Sequence, residues 1–262
     1  MDIKILHNVN VLVTRPEELA DNLCELIKKA GGVPICYPAL EIREPGSSNS
    51  REFVSNNIRA FSMAIFISPT AVTRTLQYLN ALPEGLQVAA IGSRTAETLS
   101  QAGICTDILP DGHDSESLLA HPEMQVDKIQ GVNIIIFRGE GGRTLLGDTL
   151  TSRGANVVYA EMYSRAKPEP DADSELKLQS ADIIAITSNE CLLNLLDMVS
   201  DKTLLRSLPL IVPGARCEHM AKIMGFKYIV VADNATDNAT MDALIAWSSK
   251  QNESSEKTST FR

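Results

Sequence analysis

With 262 residues, 44% of them apolar, the chain can build one large or two ordinary cores, so disorder is not the default reading. A formal charge of −9 argues against a general nucleic-acid coat and requires any anionic ligand to be held by local donors. Aromatics at only 5%, beside plentiful aliphatics, favour an α/β protein over an all-β one.

Residues 9–13, VNVLV, read as a short buried strand, and TRPEELADNLCELIKKAGG as a helix with Leu19, Leu23 and Ile27 on one face. Thr14 followed by Glu17 fits a capping box, Pro16 falls in the tolerated first turn, and Gly31-Gly32 supplies the stop. VPICYPALEI reads as a second strand and REPGSSNS as a loop. MAIFI, residues 63–67, then starts a further strand-to-helix unit, with Ser68 and Pro69 at the junction and Ala71, Leu76 and Leu79 on the helical face. QVAAIGSRTAETLSQAGI repeats the pattern, with Gly92 and Ser93 at the turn and Gly103 at the helix end. DILPDGHDSESLLAH adds a short strand, a loop and a helix. RAKPEPDADSE, dense in Pro and acid, reads as a connection between bodies, and residues 248–262 lack apolar periodicity and are expected to be disordered.

The order of signals then recurs. Arg15 maps to Arg138, Gly31 to Gly154, Ser68 to Ser188, Arg94 to Arg216, Gly103 to Gly225 and Asp111 to Asp233, at offsets of 120 to 123 residues. The expectation is a duplicated architecture of two parallel-sheet, flavodoxin-like α/β domains.

In open parallel sheets, ligands bind beyond the carboxyl ends of the strands, where helix N-termini present N–H groups to anions. Arg15, Ser68 with Pro69, Gly92 with Ser93, Arg94 and Thr95, Arg138 with Gly139, Ser188, and Gly214 all fall at such turns. A cation at a helix start adds to the positive end of the dipole, so Arg15 and Arg138 read as serving an anion. For Ser68, Ser188 and Thr95 the competing reading is a helix cap; for the glycines it is a tight turn. For Arg94 and Arg216 it is an ordinary surface charge.

Cys24, Cys36, Cys105, Cys191 and Cys217 form no C-x-x-C pair and read as reduced, buried thiols. His7, His113, His121 and His219 lack metal-ligand spacing, and neither a dinucleotide nor a P-loop fingerprint occurs, so no metal and no cofactor is expected. No run approaches the ~18 residues of a membrane helix, and the N-terminus lacks a basic flank ahead of an apolar stretch, so a cytoplasmic chain without a membrane partner is expected.

Taken in order, VLVTRP, FISPTAV, AAIGSRTAETL, FRGEGGRTLLGDTL, AEMYSRAKP and AITSNE resemble the uroporphyrinogen-III synthase family, over roughly residues 9–247. The resemblance implies a cofactor-free lyase of tetrapyrrole (haem, sirohaem, cobalamin) biosynthesis. Such an enzyme closes hydroxymethylbilane to uroporphyrinogen III with loss of water and inversion of the last pyrrole ring, and works as a monomer. It further implies that residues 1–36 join residues 167–247 in one domain and that residues 43–158 form the other. Residues 37–42 and 159–166 would be the linker strands. Tyr163 matches the family's tyrosine and is the candidate to assist departure of hydroxide. Arg15, Ser68, Pro69, Gly92, Ser93, Thr95, Arg138, Gly139, Ser188 and Gly214 become candidates for holding the substrate carboxylates, directly or through the N–H groups they support. A small-anion binding protein of the same α/β construction, without catalysis, is the alternative; a flavodoxin-like electron carrier is disfavoured because TRPEE lacks the hydroxyls of a phosphate-cradling loop.

Overall fold

The computed structural model describes residues 5–46, 49–79 and 81–259. The chain divides into two compact units, Met1–Glu41 with Ala166–Arg262, and Ile42–Arg165. Its strands are β1 Asn10–Val13, β2 Val33–Cys36, β3 Glu41–Arg43, β4 Met63–Phe66, β5 Gln87–Ala90, β6 Asn133–Gly139, β7 Asn156–Ala166, β8 Ile183–Ala185, β9 Leu210–Pro213 and β10 Ile229–Ala232. The first unit carries a sheet of order β10-β9-β8-β1-β2, the second a sheet of order β3-β7-β6-β4-β5. Pairings within β10-β9-β8-β1-β2 and within β7-β6-β4-β5 are parallel, and a parallel bridge from Ala89 to Ile108 adds a further neighbour beyond β5.

Alternation along each strand builds two cores per sheet. Leu12 faces a cluster with Ile184, Leu195 and Val212, whereas Val11 and Val13 face Leu23, Ile27 and Leu244. In the second unit Phe66 and Phe137 stack with ring centroids 4.7 Å apart in one core, and Ile65, Ile134 and Ile136 fill the other. Burial on both faces is why these strands read as continuous apolar runs.

The repeat suggested by the offsets has a structural counterpart, but each half is shared between the units. β1 and β2 pair with β8, β9 and β10, while β6 and β7 pair with β4 and β5. The first sheet follows the doubly wound order 2-1-3-4-5 from β1; the second follows it from β6 as 2-1-3-4, with the Ala89–Ile108 bridge in the fifth place and β3 added beyond β7. Ser68 and Ser188 both cap helices, Pro69–Leu76 and Asn189–Met198, and Gly92 and Gly214 both precede helices, Ser93–Gln101 and Ala215–Ile223. Gly31, Gly103, Gly154 and Gly225 all have positive φ at helix ends.

Several local expectations change. Thr14 does not form a capping box: it is fully buried and its hydroxyl donates to the Ala185 carbonyl of β8 at 2.8 Å. The helix accordingly begins at Asp21, after a 3-10 turn Glu17–Leu19, and Leu19 is exposed. VPICYPALEI is two strands, because Tyr37–Leu40 leaves β2 before β3 enters the other sheet. Cys36 and Cys105 are exposed, and Cys36 lies 3.9 Å from the buried Cys24, whose thiol is pushed up to about 11 mainly by burial and then by Cys36. Chain expected to lack structure from Ser248 onward is helical as far as Ser259, and residues 260–262 lie outside the described residues, as do residues 47 and 48 of REPGSSNS. Tertiary contacts anchor the segment where it was expected to fray: Ser248 is 4% exposed and donates to the Ile5 carbonyl at 2.9 Å, while Trp247 packs on the core containing Leu244.

The helix Asp237–Ser259 is held to β1 by an ion pair. Arg15, 5% exposed, meets Asp237 Oδ1 at 2.5 Å and donates to the Ala235 carbonyl at 2.8 Å. Removing one member of a nearly buried pair strands the other charge, at a cost of about 3–5 kcal/mol. Asp237→Ala is therefore expected to lower unfolding free energy by about 3 kcal/mol in chemical denaturation; a change below about 1 kcal/mol would mean water already solvates the guanidinium.

Candidate active site

A doubly wound sheet opens a crevice outside the carboxyl ends of the two strands at which its winding reverses. In the first unit these are β1 and β8, and in the second β6 and β4. Arg15 and Ser188 therefore stand at one reversal point, and Arg138, Gly139 and Ser68 at the other. Gly214 and the Gly92–Thr95 turn follow the next strand outward in their respective sheets.

The second unit shows the most developed chemistry. β6 and β7 run in register from Asn133↔Asn156 to Arg138↔Glu161, then slip so that Gly139 lies opposite Tyr163. Such an irregularity re-aims the side chains that follow it. Here it sets the Tyr163 ring on Gly139, where a Cβ would come within 2.7 Å of ring carbons, so only glycine leaves room. Tyr163 is 1% exposed; its phenol oxygen is 3.1 Å from Ser68 Oγ and receives Arg165 Nη2 at 3.4 Å. Ser68 is half-buried and its Oγ also accepts the Ala71 N–H at 3.0 Å, so capping and a site role coexist in one hydroxyl.

Arg138 is 4% exposed. Its guanidinium carbon sits 4.7 Å from the centre of the Tyr159 ring, Nε donates to the Gly139 carbonyl at 3.1 Å and Nη1 to the Arg143 carbonyl at 3.4 Å. Its neighbour Gly142, at φ 93°, leaves space for Nη2 that a Cβ would occupy. The loop RGEGGR is thus wrapped around its own first arginine. Arg15 is committed in the same way to Asp237 and Ala235. Both buried arginines are therefore bound to protein atoms.

Of the exposed cations, Arg143 ends that loop and pairs with Glu116 at 2.6 Å, and two others sit at helix starts. Arg94 and Arg216 occupy the second position of their helices, after Gly92 and Gly214, and both face solvent. Ser93 is exposed beside Arg94, whereas Thr95 is 2% exposed beneath the same turn. Pro69 starts the helix that Ser68 caps, and Ser188 Oγ accepts the Cys191 N–H at 3.1 Å. His113 packs over Gly92, where a Cβ would lie 2.9 Å from Nδ1. The sequence reading weighs His113 only as a metal ligand and leaves out Arg165 and Tyr159; of these only Arg165, two residues beyond Tyr163, left a local signal. A cavity of about 300 Å³ at the end of β2 is lined by Glu17, Glu41, Glu169 and Asp171 beside Lys177, a lining that repels carboxylates. Among the described residues no group of three or more His, Cys, Asp or Glu side chains converges as for a metal, and no helix is long and apolar enough to cross a membrane.

Known proteins agree on one family. The model described as Uroporphyrinogen-III synthase HemD matches residues 21–246. Uroporphyrinogen-III synthase of Escherichia coli K12 is 30% identical over 247 residues, covering 90% of this chain and all of that protein. The Salmonella typhimurium synthase is 32% identical over 248 residues, with the same coverage. Among solved structures, the uroporphyrinogen-III synthetase of Helicobacter pylori superposes with a TM-score of 0.64 at 13% identity, covering 91% of this chain and 99% of that one. A mutant Thermus thermophilus synthase gives 0.58 at 16%, covering 93% and 99%. Both likenesses show the two-sheet α/β fold. The family comprises cyclising lyases acting on hydroxymethylbilane. The chain belongs to the uroporphyrinogen-III synthase family.

Proposed function

We propose that this chain closes hydroxymethylbilane to uroporphyrinogen III through the polar turns at the carboxyl ends of its strands, with the hydroxyl pair of Ser68 and Tyr163 assisting departure of hydroxide. The observation that carries the site is that pair, 3.1 Å apart beside Gly139 at the winding reversal of the second unit. The pyrrole nitrogen of the substrate supplies the electronic push for loss of hydroxide, and attack by the substituted pyrrole carbon then gives a spiro intermediate. The protein has to stabilise the leaving oxygen with a hydrogen-bond donor and hold the chain so that this attack outruns simple closure to isomer I.

Holding the chain means holding carboxylates. Arg94 and Arg216, exposed in the first turn of their helices, oppose the local dipole until an anion arrives, and we assign them direct contact. Ser93 and the backbone at Gly92 and Gly214 add donors to the same turns, and Ser188 and the Gly139 backbone add them at the neighbouring winding reversals. Arg15 and Arg138 act on the substrate through the turns they brace, and Thr95 and Pro69 through the helix starts they shape. The same reading takes the working form as a cytoplasmic monomer with no nucleic-acid or membrane partner. Light scattering at assay concentration tests the first of these, and a mass twice that of the chain would contradict it.

The reaction is tested by giving the purified chain freshly made hydroxymethylbilane, oxidising the product and separating the isomers. Type III should predominate; type I alone, at the spontaneous rate, would favour an anion-binding protein without catalysis. Arg94→Gln and Arg216→Gln should each raise KM roughly tenfold at nearly constant kcat, the signature of lost uniform binding. Unchanged KM in both would return these residues to ordinary surface charges. Gly139→Ala, which drives a methyl into the Tyr163 ring, should cut turnover roughly tenfold and raise the type I fraction, for a stability loss of about 1–3 kcal/mol. A normal isomer ratio in that variant would remove Tyr163 from the site.

A further inference from the structure

We infer that Ser68 presents the hydroxyl proton at this site, and that Tyr163 and Arg165 are positioning residues which fix the direction of that proton. The inference rests on the reaction assigned above and settles which member of the hydroxyl pair faces the leaving oxygen.

Donor and acceptor capacity fixes the direction of each bond. A guanidinium only donates, so the Tyr163 oxygen accepts from Arg165 Nη2 at 3.4 Å and keeps one proton of its own. Ser68 Oγ accepts the Ala71 N–H at 3.0 Å and has one acceptor site left, 3.1 Å from the Tyr163 oxygen. If Tyr163 donates to Ser68, each group is satisfied and the serine proton points away from both. If Ser68 donated to Tyr163 instead, the phenol proton would have to turn elsewhere within a residue that is 1% exposed and packed among Phe66, Phe137, Met162 and Gly139. Burial forbids that order and permits the first. Exposure agrees, since Ser68 is half-buried and can meet a ligand while Tyr163 is enclosed. The chain of donation therefore runs Arg165 to Tyr163 to Ser68 to the departing oxygen, and every step is a hydrogen bond.

Turnover at saturating hydroxymethylbilane in Ser68→Gly, Tyr163→Phe and the double variant decides the order. Glycine is tolerated at a helix N-cap, so Ser68→Gly removes the donor while sparing the cap. Loss of Ser68 is expected to lower kcat by about 100-fold, within the range for a positioned proton donor. Tyr163→Phe should lower it about tenfold, and the double variant should be no slower than Ser68→Gly, as for groups acting in one chain. Arg165→Gln should slow the wild type and have no further effect in the Tyr163→Phe background, and Arg165→Lys should restore most of the rate. Ser68→Thr, which keeps both cap and hydroxyl, should stay within about threefold of wild type. The inference is overturned if Tyr163→Phe is as slow as Ser68→Gly, if the double variant multiplies the two losses, or if Ser68→Thr is as slow as Ser68→Gly. Wild-type chain making type III while any of these holds would sink the donor order alone. Wild-type chain making only type I would sink the reaction assignment and the donor order with it.

Discussion

A guanidinium enclosed at the end of a central strand must find oxygen atoms or an aromatic face within its own reach, because water cannot serve it there. Both units are organised around that demand. In one, Arg15 draws in Asp237 and the Ala235 carbonyl, which fastens the long terminal helix beside β1. In the other, Arg138 lies on the Tyr159 ring and gathers the Gly139 and Arg143 carbonyls, which sets the shape of the glycine-rich turn. Arginine suits the task because its planar fork serves several acceptors at once and stays charged when buried. Under the proposed function, the polar turns around these two anchors, rather than the anchors themselves, meet the carboxylate-rich substrate.

The same need explains why the chain is acidic overall yet takes an acidic substrate. The proposed function draws on local donors, helix starts and two exposed arginines at matching places in the two sheets. Net charge governs long-range encounter, whereas a helix N-terminus acts within its first turn. A chain proposed to hold carboxylates at chosen turns can therefore carry a net charge of −9. For a reaction in which the substrate supplies most of the electronic push, choosing the turn is choosing the isomer.

Local grammar made much of this visible in advance. Apolar runs marked the strands, serine and glycine marked where helices begin, and glycines at recurring offsets marked where they stop. These signals belong to neighbouring residues and leave traces in composition. Contacts between distant residues leave none: Arg15 meets a carbonyl 220 positions away, and Ser68 meets a phenol 95 positions away. The register slip at Arg138 and Gly139, which places Tyr163, depends on pairing that no single stretch encodes. The terminal helix left no sequence signal for a similar reason, since it is anchored at Ser248 by a bond reaching back to Ile5. The exchange of segments between the repeats is likewise a fact of pairing that no single stretch encodes.

The claim on which the account rests is that ligand is held at the carboxyl ends of the strands in each sheet. Backbone amide spectra of isotopically labelled chain, titrated anaerobically with uroporphyrinogen III, test it most directly. Binding at those ends shifts amides concentrated at Ser68–Ala71, Gly92–Thr95, Gly139–Thr144, Ser188–Cys191 and Gly214–Cys217. Shifts concentrated instead at the opposite strand ends, around Asn10, Val33, Met63, Gln87 and Asn133, would contradict it.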